Sequence, residues 1–254
     1  MGRIIAVSNQ KGGVGKTTTT INLAACLAAK GKKTLVIDMD PQGNMSSGLG
    51  LDKDAIKASI YQVIIGEIPI EEAICENVYE NLDILPSKIE LSAAEVELVN
   101  VIGKEYIIKE KVEGIRDKYD FIIIDCPPAL STLTINAMTT ASSVIIPIQC
   151  EYYALEGLTQ LGQTVQLVKE RLNPELEIEG VLFTMYDART NLSMQVIENV
   201  KENIDLPIYK AVIPRNVKLA EAPSHGVPIN VYDVRSMGAK SYMKLAEEVI
   251  NKGE

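Results

Sequence analysis

A run of eight residues near the start of the chain, KGGVGKTT at positions 11–18, most restricts what this sequence can fold into. It follows the apolar run Ile4–Val7 and leads into residues 21–27, an amphipathic stretch of good helix formers. Glycines in this run allow the backbone between strand and helix to curl, so that successive N–H groups converge on one point. Because the N-terminus of the following helix adds partial positive charge, the segment predicts an anion-binding loop.

The residue types in the loop indicate that the anion is a nucleoside triphosphate. Lys16 can reach the β- and γ-phosphates, and the hydroxyl of Thr17 can ligate Mg²⁺. A flexible turn with solvated lysines is the alternative, but the flanking strand and helix both favour the phosphate-binding loop. The residues that we expect to contact the nucleotide here are Lys11, Gly12, Gly13, Val14, Gly15, Lys16, Thr17 and Thr18.

Carboxylates follow two further apolar runs. Asp38 and Asp40 stand at the turn after residues 34–37, and Asp125 ends the run FIIID, which is the Walker B pattern. A carboxylate at the end of a strand beside the phosphate loop can support Mg²⁺, so Asp38 and Asp125 are candidate metal residues. Taken singly, each would more simply be a helix cap or a turn residue, but the neighbouring phosphate loop favours the metal role for Asp125. Asp40 is the better candidate for orienting an attacking water, with Gln42 as an alternative.

Composition narrows the class of protein. The chain has 254 residues, 46% of them hydrophobic and 23% charged, which suits one α/β domain spanning residues 1–254. No apolar run reaches the roughly 20 residues of a membrane span. The chain enters a strand almost at once, which argues against a secretory signal, and its four cysteines are scattered, as expected in a reducing cytoplasm. With a single histidine, a histidine-based metal site or a Ser-His-Asp triad is improbable.

Charge is unevenly distributed along the chain, although the net charge is −9. Residues 67–120 carry 14 acidic and 6 basic side chains, whereas the segment 206–244 is basic. An acidic protein with a basic C-terminal third could hold one face against a polyanion, but ordinary surface scatter explains the counts as well. The basic residues of that segment are Lys210, Arg215, Lys218, Arg235, Lys240 and Lys244.

Strand and helix patterns alternate along the chain and predict a single-domain P-loop NTPase with a mostly parallel twisted sheet and helices on both faces. The predicted strands are Arg3–Val7, Thr34–Asp38, Leu82–Leu85, Phe121–Asp125, Ser143–Ile148, Gly180–Met185 and Ile208–Ile213. The predicted helices are Lys16–Lys30, Ala93–Lys118, Ser131–Ala141, Tyr153–Leu172, Leu192–Asn203 and Ser236–Lys252. Ligands of such sheets bind beyond the carboxyl ends of the strands, where the loops that follow these strands meet.

Six segments, in order along the chain, resemble the ParA/Soj family of chromosome- and plasmid-partitioning ATPases: KGGVGKTT, VIDMDPQGN, FIIIDCPP, CEYYALEGL, TMYDARTNLS and IPRNVKLAEAPSHG. Gln10 replaces the first glycine of the ordinary loop and Lys11 follows it, as in the family's deviant Walker A loop. The resemblance implies a Mg²⁺-dependent ATP hydrolase that forms a homodimer on binding ATP and binds double-stranded DNA without sequence preference. It further implies stimulation by a ParB-type centromere-binding partner and a cytoplasmic, nucleoid-associated location.

The family pattern also implies a role for individual residues. It gives Lys11 a contact across the dimer to the partner's nucleotide, Lys16 the phosphates of its own nucleotide, and Thr17 the Mg²⁺ ion. It assigns activation of water to Asp40 and the Walker B position to Asp125. On this pattern the catalytic residues are Lys11, Lys16 and Asp40.

Further positions of the pattern lie towards the C-terminus. Pro214 and Asn216 match positions near the adenine, and Arg189 and Lys218 match basic positions used for DNA. Judged without the resemblance, these cations would more simply form surface salt bridges.

Three other functions share the phosphate loop. A membrane-associated positioning ATPase of the MinD type would need a C-terminal amphipathic helix with a cationic face, whereas residues 244–254 mix acids with bases and lack aromatic anchors. An ATPase resembling nitrogenase iron protein would bridge an iron–sulfur cluster, but the spacing of Cys126 and Cys150 does not support one. An ATP-dependent small-molecule ligase has no specific signature here. We therefore expect no membrane partner.

Overall fold

A seven-stranded sheet forms the centre of the computed structural model, which describes residues 2–151 and 154–252. In the described residues the strands lie in the order β3-β4-β2-β5-β1-β6-β7, and β3 alone is antiparallel to its neighbour. The strands are β1 (Arg3–Val7), β2 (Thr34–Asp38), β3 (Cys75–Tyr79), β4 (Leu82–Leu85), β5 (Phe121–Asp125), β6 (Ser143–Gln149) and β7 (Glu177–Thr184).

Helices cover both faces of this sheet. Alternate residues of each strand point to opposite faces, so Ile4 packs into one apolar cluster and Ile5 into the other. Because both faces of the sheet are covered, the strands are continuous apolar runs in the sequence. The predicted α/β architecture is confirmed. The helices are α1 (Lys16–Ala29), α2 (Asn44–Gly48), α3 (Ile60–Ile64), α4 (Ile70–Ala73), α5 (Leu91–Glu97), α6 (Ile107–Glu113), α7 (Thr132–Thr140), α8 (Ala154–Arg171), α9 (Asn191–Asn203), α10 (Val217–Glu221), α11 (Ile229–Tyr232) and α12 (Met237–Asn251).

The carboxyl ends of the central strands are level with one another. Asp125 at the end of β5 pairs in register with Val7 at the end of β1 and with Asp38 at the end of β2. The phosphate loop after β1 and the acidic turns after β2 and β5 therefore meet at one edge of the sheet, as the sequence predicted.

The single helix predicted over Ala93–Lys118 is wrong. The structure forms α5, a short 3₁₀ turn at Lys104–Tyr106, α6 and a second 3₁₀ turn at Arg116–Lys118. Gly103 adopts φ 73°, a left-handed conformation that interrupts an α-helix. The apolar residues on either side kept the helical period, so the pattern alone did not reveal the break.

The strand predicted over Ile208–Ile213 is also not formed as a regular strand. Ile208 forms an isolated bridge with Val181 of β7, but the backbone N–H groups of Lys210 and Ala211 donate to the carboxylate of Glu248, at 2.8 and 2.7 Å. The Glu248 carboxylate on α12 thus takes the place of a main-chain acceptor from a neighbouring strand at that point.

Smaller differences occur at the ends of elements. The predicted strand Gly180–Met185 begins earlier, at Glu177, and ends one residue sooner because Met185 has φ 52°. The first residue of the helix predicted over Tyr153–Leu172 lies outside the described residues. The antiparallel strand β3 was not predicted.

Candidate nucleotide-binding site

The phosphate loop is held in a tight curl by two glycines and by bonds to its own backbone. Gly13 and Gly15 have φ 76° and 89°, values that residues with a Cβ rarely adopt. The ammonium of Lys16 donates to the carbonyl of Lys11 at 3.1 Å, which folds this long side chain back over the loop. The loop is thus preshaped to direct N–H groups at an anion.

Thr184, at the end of β7, fixes the loop from the side. Its buried hydroxyl lies 2.8 Å from the carbonyl oxygen of Val14 and 3.0 Å from that of Ile148, and it is positioned to donate to either. No sequence motif had indicated Thr184 as part of the site. A polar side chain at the end of the apolar run before Met185 was the signal that could have indicated it.

Asp125 anchors the start of α1. Its carboxylate accepts hydrogen bonds from the hydroxyls of Thr17 at 2.7 Å and Thr20 at 3.1 Å. The group is fully buried, and burial raises the pKa of Asp125, with the Asp38 carboxylate across the strand pair adding to the rise. A cation bound beside this buried carboxylate and the Thr17 hydroxyl would stabilise the charged form of the carboxylate.

Asp38 and Asp40 sit differently although only two residues separate them. Asp38 is fully buried and accepts from both the N–H and the hydroxyl of Ser46, at 2.9 and 2.7 Å. Burial raises the pKa of Asp38, and these hydrogen bonds oppose the rise. Asp40 is half-buried, accepts from the N–H of Gln42 at 2.9 Å and lines the cavity above the loop. Asp40 therefore has direct access to a bound molecule.

Two adjoining cavities lie along the carboxyl edge. The larger, about 640 Å³, is lined by the phosphate loop together with Asp40 and Gln42. The smaller, about 300 Å³, is lined by Pro214, Asn216 and apolar side chains including that of Tyr242. Residues of the loop and Met185 line both, so the two could hold the phosphates and the base of a single nucleotide.

Lys16 is buried in the floor of the larger cavity. Burial lowers the pKa of its ammonium, while the nearby Asp125 carboxylate opposes that shift. A buried cation beside an anion-shaped loop gains from an incoming phosphate, because the phosphate would supply a countercharge.

Oxygen atoms suitable for Mg²⁺ are present but few. Among residues 2–151 and 154–252, no group of three or more His, Cys, Asp or Glu side chains could hold a metal ion by itself. Mg²⁺ characteristically uses one or two protein oxygens with phosphates and waters, and Thr17 backed by Asp125 fits that pattern. One carboxylate oxygen of Asp38 accepts two hydrogen bonds from Ser46, so Asp38 fits a supporting position better than direct ligation.

Lys11 points away from the nucleotide cavities of its own chain. Its ammonium pairs with the Glu151 carboxylate at 2.8 Å, and both side chains are about half exposed. Its backbone N–H donates to the side chain of Asn9 at 2.9 Å, which fixes the start of the loop. The two lysines of the loop are therefore placed differently, Lys16 inward and Lys11 at the surface.

The two cations expected to contact DNA are exposed and each pairs with a carboxylate. Arg189 makes two hydrogen bonds to Asp187, at 2.8 and 2.6 Å, and this guanidinium holds the pKa of Asp187 below its usual range. Lys218 pairs with Glu221 at 3.1 Å. The salt bridges expected from the residues alone are formed, and the role in DNA binding stays a prediction.

The apolar face of α12 is already covered. Tyr242, Leu245 and Val249 are buried against the cluster that contains α1, and the hydroxyl of Tyr242 lies 3.2 Å from that of Thr19. This face is not available to lie on a bilayer as the MinD-type alternative required. Within the described part of the chain, no helix is both long enough and apolar enough to cross a membrane.

Comparisons with known proteins identify the family to which the chain belongs. A family model described as an AAA domain matches residues 2–178. The sporulation initiation inhibitor protein Soj of Bacillus subtilis is 56% identical over 253 residues, covering 100% of both chains. The chromosome partitioning protein ParA of Myxococcus xanthus is 49% identical over 252 residues, covering 99% of this chain and 89% of that protein.

A solved structure is similar over the whole chain. Cobyrinic acid a,c-diamide synthase from Mycobacterium smegmatis, with a bound ATP analogue and magnesium, superposes with a TM-score of 0.89 at 35% identity. The match covers 100% of this chain and 96% of that one. Because sequence identity is higher for the partitioning relatives and the match spans nearly the whole of each chain, the chain belongs to the ParA/Soj family of partition ATPases.

Proposed function

We propose that this chain binds and hydrolyses ATP with Mg²⁺, dimerises on binding ATP, and then holds duplex DNA without sequence preference. A ParB-type partner would stimulate the hydrolysis. The observation that carries the proposal is the pair of adjoining cavities, one with Lys16, Thr17 and Asp40 in its wall and the other with Pro214 and Asn216. Their combined shape suits a triphosphate joined to a base.

Each residue of the phosphate cavity has a separate task in this proposal. The loop N–H groups and Lys16 bind and neutralise the phosphates, and Asp125 orients the hydroxyl of Thr17 towards the metal. Mg²⁺, when bound, would draw charge from the phosphate oxygens. Asp40 is exposed to the cavity and acts by accepting a hydrogen bond from water aligned with the terminal phosphate.

Dimerisation would use Lys11, whose side chain lies at the surface of its own chain. The ammonium of Lys11 pairs with the exposed carboxylate of Glu151, and it can exchange this partner for a phosphate held by a second copy. ATP would then favour the dimer because the γ-phosphate supplies the anion that Lys11 reaches.

DNA binding would follow from dimerisation. Arg189 and Lys218 can each exchange an exposed carboxylate for a DNA phosphate, a substitution that counterion release favours. Two copies double the number of such contacts, so affinity rises steeply when the dimer forms.

Paired variants test the proposal in two stages. Lys16→Ala is expected to abolish ATP binding, whereas Asp40→Ala is expected to bind ATP and to persist as a dimer, as measured by sedimentation with ATP. The expectation rests on Lys16 holding phosphate and Asp40 acting only on water. A monomeric Asp40→Ala protein in saturating ATP would contradict the mechanism.

The DNA arm uses a salt-titrated duplex-binding assay with ATP, ADP and no nucleotide. Arg189→Glu or Lys218→Glu is expected to weaken ATP-dependent binding and to reduce its dependence on salt, at unchanged ATP affinity. The matched control is Lys169→Glu; Lys169 is a half-buried lysine that pairs with Glu177 at the amino end of β7. Equal losses in all three variants would mean that net charge alone is being measured.

A further inference from the structure

A lysine outside the nucleotide site is bonded to the turn that carries Asp40. The ammonium of Lys53 donates a hydrogen bond to the main-chain carbonyl of Gln42 at 2.5 Å. The two residues stand before and after α2 in the sequence, so the bond closes a loop of chain that contains this helix. Gln42 and Asp40 line the larger cavity, whereas Lys53 is half-buried and is not among the residues that line it.

The main chain of Gln42 connects Lys53 to Asp40. The N–H of Gln42 donates to the carboxylate of Asp40 at 2.9 Å, and the carbonyl of Gln42 accepts from Lys53. The next residue, Gly43, donates its N–H to the carbonyl of Asp40 at 2.9 Å, which closes the turn. Because these bonds share one turn, Lys53 restrains the same backbone that orients the Asp40 carboxylate.

The absence of a side chain at Gly43 lets two other parts of the chain approach this turn closely. Gly43 has φ 59°, and a Cβ built on it would lie 2.8 Å from the carbonyl oxygen of Ser87, closer than Cβ atoms approach in practice. The same Cβ would lie 3.3 Å from the Cε atom of Lys53. The aliphatic stem of Lys53 therefore lies against the turn that its ammonium holds.

A second anchor of this segment is buried, unlike the bond from Lys53. The hydroxyl of Ser46 donates to Asp38 at 2.7 Å and accepts from the N–H of Ser87 at 3.0 Å, and all three residues are fully buried. The bond from Lys53 reaches a carbonyl on an exposed residue, which water can solvate when the ammonium is removed. Its loss should therefore affect the turn more than the stability of the fold.

We propose that Lys53 is a positioning residue for ATP hydrolysis, which holds the turn so that Asp40 meets the attacking water in line with the terminal phosphate. This inference rests on the proposed function and extends it to a residue outside the larger cavity. Hydrolysis is sensitive to such alignment, because a small displacement of a catalytic group lowers the rate strongly. ATP binding depends on the phosphate loop and Lys16, which are separate from this turn, so the bond acts on hydrolysis alone.

Three variants test this role. Lys53→Met removes the donor and keeps most of the length of the side chain, and Lys53→Arg restores a donor. Lys57→Met removes the same charge from an exposed lysine of the same segment and is the matched control. Steady-state ATP turnover gives kcat and KM, titration with a fluorescent ATP analogue gives affinity, and thermal melts give Tm.

Lys53→Met is expected to lower kcat about fivefold at unchanged KM, analogue affinity and Tm, because one hydrogen bond that aligns the turn is lost. Lys53→Arg and Lys57→Met should keep the parental kcat. A parental kcat in Lys53→Met, an equal loss in Lys57→Met, or no recovery in Lys53→Arg would overturn the proposal. Weaker analogue binding in Lys53→Met would overturn it as well, since Lys53 would then hold the nucleotide itself.

Amide hydrogen exchange separates this proposal from the proposed function. Exchange in a peptide covering residues 40–44, measured by mass spectrometry without nucleotide, is expected to be faster in Lys53→Met than in the parent and Lys57→Met. Equal exchange in Lys53→Met and the parent would reject the restraint on the turn, even where the parent hydrolyses ATP normally. A parent that binds ATP without hydrolysing it would reject the proposed function, and with it the role of Lys53 in hydrolysis, whereas the exchange result would still stand.

Discussion

Replacing Thr184 by valine should loosen the phosphate loop while leaving its sequence intact. The two side chains have nearly the same shape, so the change removes a hydroxyl without creating a large cavity. That hydroxyl lies within hydrogen-bonding distance of the carbonyls of Val14 and Ile148, and its loss leaves a buried acceptor unpaired. The cost of such an acceptor is about 1–3 kcal/mol.

The expected consequences can be read in stability and in nucleotide affinity. For a chain of this size about 1 kcal/mol lowers Tm by roughly 2–4 °C, so a cost of about 1–3 kcal/mol should make Thr184→Val melt about 2–12 °C below the parent. If about 1 kcal/mol of loop order is lost, affinity for a fluorescent ATP analogue should fall roughly fivefold. Thr184→Ser retains the donor and should retain that affinity.

Thermal melts and analogue titrations on the parent and both variants decide the matter. The reasoning is refuted if valine leaves Tm and affinity at parental values, because the hydroxyl would then not restrain the loop. It is equally refuted if serine loses as much nucleotide affinity as valine, because the methyl group and not the hydrogen bond would be responsible.

Two further predictions concern stability. Glu248→Ala should lower the free energy of unfolding by about 2 kcal/mol, measured with denaturant, because the N–H groups of Lys210 and Ala211 lose their acceptor, and Glu248→Gln should lose less. Burial raises the pKa of the Cys26 thiol to about 12 from an ordinary 9.0, with Lys30 opposing the rise. Between about pH 9 and pH 12 the thiol keeps its proton in the folded state and loses it in the unfolded state. Its contribution to the free energy of unfolding is therefore complete below about pH 9. It then falls by up to about 1.4 kcal/mol per pH unit towards pH 12. Cys26→Ala should flatten that part of the stability–pH curve, and an unchanged slope would contradict this assignment.

Those parts of the fold that depend on local pattern were predictable from the sequence. Continuous apolar runs flanked by helical periods indicated a covered parallel sheet, and the carboxylates at the run ends indicated which edge holds the site. The break at Gly103 was not predictable, because glycine is also tolerated inside helices and its φ depends on the surrounding packing. The lost strand at 208–213 depends on Glu248, which is distant in sequence and reaches the segment only through tertiary packing.

The site shows the same division between local and distant information. The glycine loop, Lys16 and Asp125 could be predicted because their motif is contiguous with a strand or a helix. Thr184 could not be, because its role arises from the adjacency of β7 and the loop in space. The surface pairing of Lys11 with Glu151 similarly joins two segments far apart in the sequence.

The bond between Lys11 and Glu151 is weak enough to make that lysine a loosely tethered group. An ion pair with both partners about half exposed contributes about 0–1 kcal/mol, which biases the side chain by no more than roughly fivefold. Breaking the ion pair between Lys11 and Glu151 therefore costs little free energy. Dissolved salt screens this ion pair, so the fraction of time that the Lys11 ammonium is unpaired rises with ionic strength.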